Sequence, residues 1–221
     1  SRGLGDVYKR QDKWFDEDRE VLLSSMKENG VCGIVNNAVD LKTAKVCIEF
    51  CEKYDFMYGA VGFHPENLED MPNDYLDRVA ELLKHKKIVA VGETGLDYHW
   101  DISKDLQNRV FEEQIKLSLD VNMPIIVHDR EAHGDTLNYL RKYKPKALVH
   151  CFSGSVEMMR EVMRYGSYIS LGGVVTFKNA RHSVEVAKEV PIDRLLLETD
   201  CPYMSPVPFR GKRCDSTMIK Y

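Results

Sequence analysis

Ile88-Val89-Ala90-Val91-Gly92-Glu93 is an apolar, partly β-branched run that stops at a carboxylate. A run this short and this apolar reads as a strand buried on both faces, the kind found in parallel sheets. Three further stretches repeat the pattern: Pro124-Ile125-Ile126-Val127-His128, Ala147-Leu148-Val149-His150 and Leu195-Leu196-Leu197-Glu198-Thr199-Asp200. Each stops at or near a residue type that binds divalent metals well. In a parallel barrel the strand ends meet at one rim, so Glu93, His128, His150 and Asp200, spread across the chain, predict a metal site assembled there.

Working outward, the chain alternates regularly. A charged amphipathic helix is expected at 16–29, an apolar run at 31–35, a helix at 41–53 and a second run at 56–61. The rhythm continues with helix 73–85, strand 88–92, helix 103–121, strand 124–128, helix 133–142, strand 147–150, helix 155–165, strand 168–171, helix 181–189 and strand 194–199. Strand-helix alternation implies parallel strands joined by right-handed crossovers. The apolar runs give seven strands, whereas a closed barrel of this type has eight. The expected fold class is therefore α/β, a TIM-type (β/α)8 barrel lacking the first strand and the last helix. Residues 1–11, SRGLGDVYKRQ, show neither alternation nor a long apolar run and are read as a non-native leader; 12–221 is read as a single, incomplete domain.

At 221 residues the chain can bury a sizeable core, and its formal charge of −4 argues against a bulk electrostatic binder of nucleic acid. The six cysteines include no Cys-x-x-Cys pair and read as reduced thiols of a cytoplasmic protein. Cys47 and Cys51, four apart on an expected helix, read as small apolar core residues. No apolar stretch approaches the ~20 residues that span a bilayer, so no membrane association is expected.

Residue chemistry sharpens the site. Glu93 can bridge two divalent ions ~3.5–4 Å apart, the spacing that suits in-line displacement at phosphorus. Its neighbour Gly95 lets the backbone come close. Neutral imidazoles at His128 and His150 suit zinc, manganese or similar ions, and Asp129 is either a support for His128 or a helix cap. Glu198, two residues before Asp200, is expected on the same strand face as hydrogen-bonded support. Lys178, Arg210, Lys212 and Arg213 are candidates for phosphate contact, and Tyr98, Trp100, Phe177 and Tyr203 for stacking on a base.

The stretches Gly62-Phe63-His64-Pro65, Gly92-Glu93-Thr94-Gly95-Leu96-Asp97-Tyr98, Pro124 to His128, His150-Cys151-Phe152-Ser153-Gly154, Glu198-Thr199-Asp200-Cys201-Pro202 and Pro208 to Arg213 together resemble the TatD family of metal-dependent deoxyribonucleases over residues 12–221. The resemblance implies a (β/α)8 barrel whose two divalent metals (zinc, manganese or magnesium) hydrolyse phosphodiester bonds, acting as an exonuclease on single-stranded DNA ends. It also implies that Asp200 binds metal and orients or deprotonates the attacking water, with Glu93 as its catalytic partner, and that His64 lies near the substrate, where it either binds a phosphate oxygen or shapes the turn before Pro65. Family members start with a strand ending in His-x-His, and here the match begins just after that point. The alternatives are an aminoacyl-tRNA ester hydrolase, a small-molecule amidohydrolase or phosphotriesterase-like enzyme, and an inactive fragment. Many of the small-molecule enzymes bridge their metals with a carboxylated lysine where this chain has Glu93.

Overall fold

In a computed structural model describing residues 13–221, seven helices and seven strands alternate along the chain. They are α1 (Arg19–Ser24), β1 (Ile34–Asn37), α2 (Leu41–Lys53), β2 (Met57–Val61), α3 (Tyr75–Leu82), β3 (Ile88–Asp97), α4 (Lys104–Asp120), β4 (Ile125–Arg130), α5 (His133–Tyr143), β5 (Ala147–Val149), α6 (Val156–Arg164), β6 (Tyr168–Leu171), α7 (Arg181–Glu189) and β7 (Leu195–Leu197). The seven described strands form one sheet in chain order, β1 to β7, every neighbouring pair parallel. Pairing of each strand with its sequence neighbours wraps the sheet in one direction, as in a TIM barrel. The leader expected at 1–11 lies outside the described residues.

Helix starts are fixed locally. Asp40 and Thr43 form a reciprocal capping box at α2, with Thr43 N–H donating to Asp40 Oδ1 at 2.7 Å and Asp40 N–H to Thr43 Oγ1 at 2.9 Å. Ser103 and Ser155 accept from Leu106 and Met158 backbone N–H groups at the starts of α4 and α6. The helices lay apolar stripes on the sheet. Phe111 and Ile115 of α4, Leu140 of α5 and Met159 and Val162 of α6 join Val91, Ile125 and Val127 of the strands in one core. No helix among the described residues is long and apolar enough to cross a membrane. All six cysteines are free; Cys47 and Cys51 are buried in this core, and Cys47 Sγ–H donates to Asn36 O at 3.2 Å.

β1 falls at Ile34–Asn37 rather than 31–35, α3 is shorter than expected and β4 runs on to Arg130; three further differences stand out. The helix expected at 16–29 is reduced to α1, with turns following it, because Glu28-Asn29-Gly30 ends the helical run, Gly30 adopting a φ of +82°. The strand expected at 194–199 is shorter, and Glu198 and Asp200 lie beyond it. The third difference matters most. β3 does not stop at Glu93 but continues to Asp97, with a register shift between Val91 and Thr94 against β4, after which Gly95 faces His128 and Asp97 faces Arg130. Gly92 and Gly95 sit at φ of +141° and +146°. A Cβ on Gly92 would stand 2.8 Å from Ile126 O, and one on Gly95 would overlap the His128 carbonyl. Glycine there lets β3 press against β4 while the shifted segment turns Glu93 toward the rim.

Candidate metal centre

Glu93 sits in the irregular segment of β3, only 3% exposed. Its Oε1 is the meeting point of three imidazoles: His150 Nε2 at 2.8 Å, His128 Nδ1 at 3.1 Å and His64 Nε2 at 3.2 Å. His128 comes from β4, His150 from the residue after β5, and His64 from the loop after β2. The His64 and His128 rings meet edge to face at 4.4 Å.

Behind each of the two strand-end histidines stands another carboxylate. His128 Nε2 lies 2.8 Å from Asp97 Oδ2, and His150 Nδ1 lies 3.7 Å from Glu198 Oε2, itself the acceptor of a 2.6 Å bond from Ser170 Oγ–H. Asp97 holds a proton on His128 Nε2 and leaves Nδ1 to face the centre, whereas Glu198 stands beyond hydrogen-bond distance of His150 Nδ1 and supplies negative charge behind that ring. His64 is set up the opposite way. Its Nδ1 accepts from the Glu66 backbone N–H at 3.2 Å, so its proton is on Nε2, pointing into the site. His64 is therefore a donor, although its Nε2 lies among groups close enough to share an ion: one atom each of His64, Glu93 and His128 fall within 4.8 Å of one another.

Two buried glutamines of α4 pin the backbone on either side. Gln114 accepts from Phe63 N–H at 2.8 Å and donates to Phe63 O at 3.0 Å and Thr94 Oγ1 at 2.6 Å, tying the His64 loop to β3. Gln107 brackets the Asp97 peptide in the same fashion, at 2.8 and 2.9 Å.

Charge in this cluster is tightly coupled. Burial by itself would raise the Glu93 pKa, but His150, His64 and His128 hold it well below the usual carboxylate range. Burial disfavours the His150 imidazolium, yet Glu93 and Glu198 lift its pKa well above the ordinary value, and Asp97 and Glu93 raise that of His128 despite its burial. Asp97 is lowered, its burial outweighed by the hydrogen bond from His128. Nitrogen and oxygen donors converging on one point, among them an imidazole braced from behind by Asp97, fit a divalent cation such as zinc or manganese.

The cluster floors a cavity of about 630 Å³, within the range of small-ligand sites. Asp200 lines the same cavity, as do Trp100, Arg130, Cys151 and Tyr203. So Glu93, His128, His150, Asp200 and His64 share one space. The expected phosphate contacts Lys178, Arg210 and Lys212 are not among the lining residues. Arg210 lies 3.8 Å over the Phe177 ring and donates to Ser205 O, and Lys212 lies 5.8 Å over Phe209. Arg213 is engaged with Asp18 and Phe15. Of the four aromatics, Trp100 and Tyr203 line the cavity, whereas Tyr98 donates to Asp135 and Phe177 lies beneath Arg210. Asp129 is held by His133 Nδ1 at 2.8 Å.

Asp97 and Arg130 escaped the sequence reading. The signal for Asp97 was alternation: Glu93, Gly95 and Asp97 are two apart, but the strand was ended where the apolar run stops, at Gly92-Glu93. Arg130 bears the same relation to His128.

A family model described as TatD related DNase matches residues 9–221. The chain belongs to the TatD family. An uncharacterized metal-dependent hydrolase, YabD, of Bacillus subtilis (strain 168) is 47% identical over 211 residues, covering 94% of this chain and 83% of YabD. The human 3'-5' RNA nuclease TATDN2 is 32% identical over 200 residues, 87% of this chain and 26% of that protein. The crystal structure of YJJV, a TatD homologue from Escherichia coli K12, superposes with a TM-score of 0.89 at 29% identity, covering 98% of this chain and 86% of that one. This TatD protein is thus a metal-dependent hydrolase on a TIM-barrel-like fold.

Proposed function

We propose that the chain hydrolyses phosphodiester bonds of DNA, removing nucleotides from single-stranded or frayed ends, and that residues 12–221 form one hydrolase domain of a cytoplasmic protein. One observation carries the reading. His128 and His150, each with a carboxylate on its far side, turn a ring nitrogen onto Glu93 at the floor of a cavity that Asp200 shares. Glu93, His128, His150 and Asp200 would hold two divalent cations, which when bound supply positive charge to the phosphoryl oxygens and acidify the attacking water. The remaining steps belong to side chains. Asp200 orients the water and takes its proton, Glu93 fixes the spacing of the centre, and His64 donates from Nε2 to a phosphate oxygen. Lys178, Arg210 and Lys212 would meet phosphates outside the cavity.

The name of human TATDN2, a 3'-5' RNA nuclease, supports nucleic acid as the substrate class and makes RNA the second reading. The test is manganese- or magnesium-dependent release of nucleotides from single-stranded DNA and RNA, with Asp200→Ala and Glu93→Gln alongside. Each variant should lose roughly 10²–10⁴-fold in rate, the usual contribution of a positioned acid or base. Release from neither polymer, with hydrolysis of an aminoacyl ester instead, would overturn the reading.

A further inference from the structure

The cavity's charge is one-sided. Among its described lining residues Arg130 is the sole lysine or arginine, and it stands alone in a second sense. Other arginines are spent on protein partners: Arg141 on Glu161, Arg160 on Glu189, Arg194 on Gly166 O and Arg213 on Asp18. Among the described residues no hydrogen bond or ion pair engages the Arg130 guanidinium, which lies 6.0 Å from the centroid of the Trp100 ring. Asp97, the nearby acid that feels its charge, is already bonded to His128.

Position follows from the strand. Arg130 is two residues beyond His128 on β4, so it projects from the same face about 7 Å further toward the rim. Trp100, 48% exposed, hangs over it from the loop after β3. That loop is braced: Ile102 N–H donates to Trp100 O at 2.9 Å, and His99, which meets the indole edge to face at 5.3 Å, is tied to Glu131 at 3.1 Å.

A guanidinium with its donors free and an exposed indole beside it form a recognition pair for a nucleotide, fork to phosphate and ring to base. We propose that Arg130 and Trp100 form a subsite for the nucleotide adjoining the cleaved bond, Arg130 taking its phosphate and Trp100 its base. The subsite rests on the nucleic-acid reading of the cavity. A phosphate reacting over Glu93, His128 and His150 is a strand step away from Arg130, which leaves the guanidinium to the neighbouring phosphate of the polymer. It would make a polynucleotide, rather than a single small diester, the preferred substrate.

Fluorescence anisotropy of a labelled single-stranded oligonucleotide, titrated across a range of salt concentrations in chelator to prevent cleavage, tests this on the full chain. One phosphate contact on a single strand contributes about 0.7 to the slope of log affinity against log salt. Arg130→Ala should lower the slope by that amount and Arg130→Lys should keep it. Trp100→Ala should weaken binding roughly tenfold with the slope unchanged. An unaltered slope in Arg130→Ala, beside a wild type that binds with clear salt dependence, overturns the subsite alone. A wild type with no salt-dependent binding overturns the nucleic-acid reading and the subsite with it.

Discussion

Asp97→Asn isolates what the carboxylate behind His128 does, because the substitution keeps the shape and removes only charge and acceptor capacity. Asp97 Oδ2 takes the proton of His128 Nε2 at 2.8 Å and Oδ1 takes the His99 N–H at 3.0 Å. An amide offers one acceptor and one donor. If its oxygen keeps His99, its NH₂ faces Nε2, which must then accept, moving the proton to Nδ1 and closing the lone pair that faces Glu93. If its oxygen keeps His128, two donors collide at His99, at about 1–3 kcal/mol for the buried pair left unsatisfied. Loss of such outer partners costs roughly 10–100-fold in metal affinity, about 1.4–2.7 kcal/mol. Isothermal titration calorimetry of manganese binding to the wild type, Asp97→Asn and the isosteric control Asn138→Asp, on exposed α5, measures this directly. Affinity for Asp97→Asn within about twofold of wild type would refute the reasoning and assign the ring's orientation to its packing on His64.

Metal affinity should also rise with pH. His150 and His128 have raised pKa values, so they hold protons above the ordinary histidine value of about 6.5, and a cation must displace those protons. Binding is therefore weakest below about pH 6.5 and strengthens as pH climbs through the raised values; buffer-dependent calorimetry should record proton release, and a flat affinity from pH 6 to 9 would contradict it. The same sign governs the ion pairs without metal: their stabilisation is complete below the unfolded histidine pKa and fades as pH rises through the folded one. Gly95→Ala should destabilise the fold by at least about 2 kcal/mol, since alanine is strained at a φ of +146° and its Cβ overlaps the His128 carbonyl. Scanning calorimetry should find the midpoint lower by roughly 4–8 °C, and no shift would mean that β3 and β4 separate freely.

The alternation of apolar runs and amphipathic helices carried most of the architecture, because a buried parallel strand has few other ways to look. Helix α2 falls at the bounds expected, fixed by Asp40 and Thr43 at its start. What local patterning hid was the continuation of β3. Gly92-Glu93-Thr94-Gly95 has the composition of a turn, and only its pairing with β4 makes it strand, so Asp97 was lost with it. The site followed the same division. Glu93, His128, His150 and Asp200 were expected at strand ends; Glu93 and His128 lie inside β3 and β4, His150 and Asp200 lie beyond β5 and β7, and all four line one cavity, whereas the proton placement on His64 depends on a backbone N–H two residues away, which no residue pattern encodes. Arg210 and Lys212 read as phosphate contacts from charge and from their place on the loop after the last expected strand; they lie over Phe177 and near Phe209, outside the lining of the cavity.

Sequential pairing of the strands also sets how the centre comes together as the chain folds. Glu93, Asp97, His128 and His150 lie on or just after three neighbouring strands, and their mutual contacts span 35, 31, 22 and, for Glu93 with His150, 57 residues, each closed by one or two crossovers. Loop closure costs grow slowly over such lengths, and short-range topologies fold faster than those that join distant ends. Contacts among Glu93, Asp97, His128 and His150 therefore need only the β3-α4-β4-α5-β5 stretch in place, with His64 joining from the loop after β2. Glu198 and Asp200, arriving together after β7, then bring the acid behind His150 and the last carboxylate of the cavity.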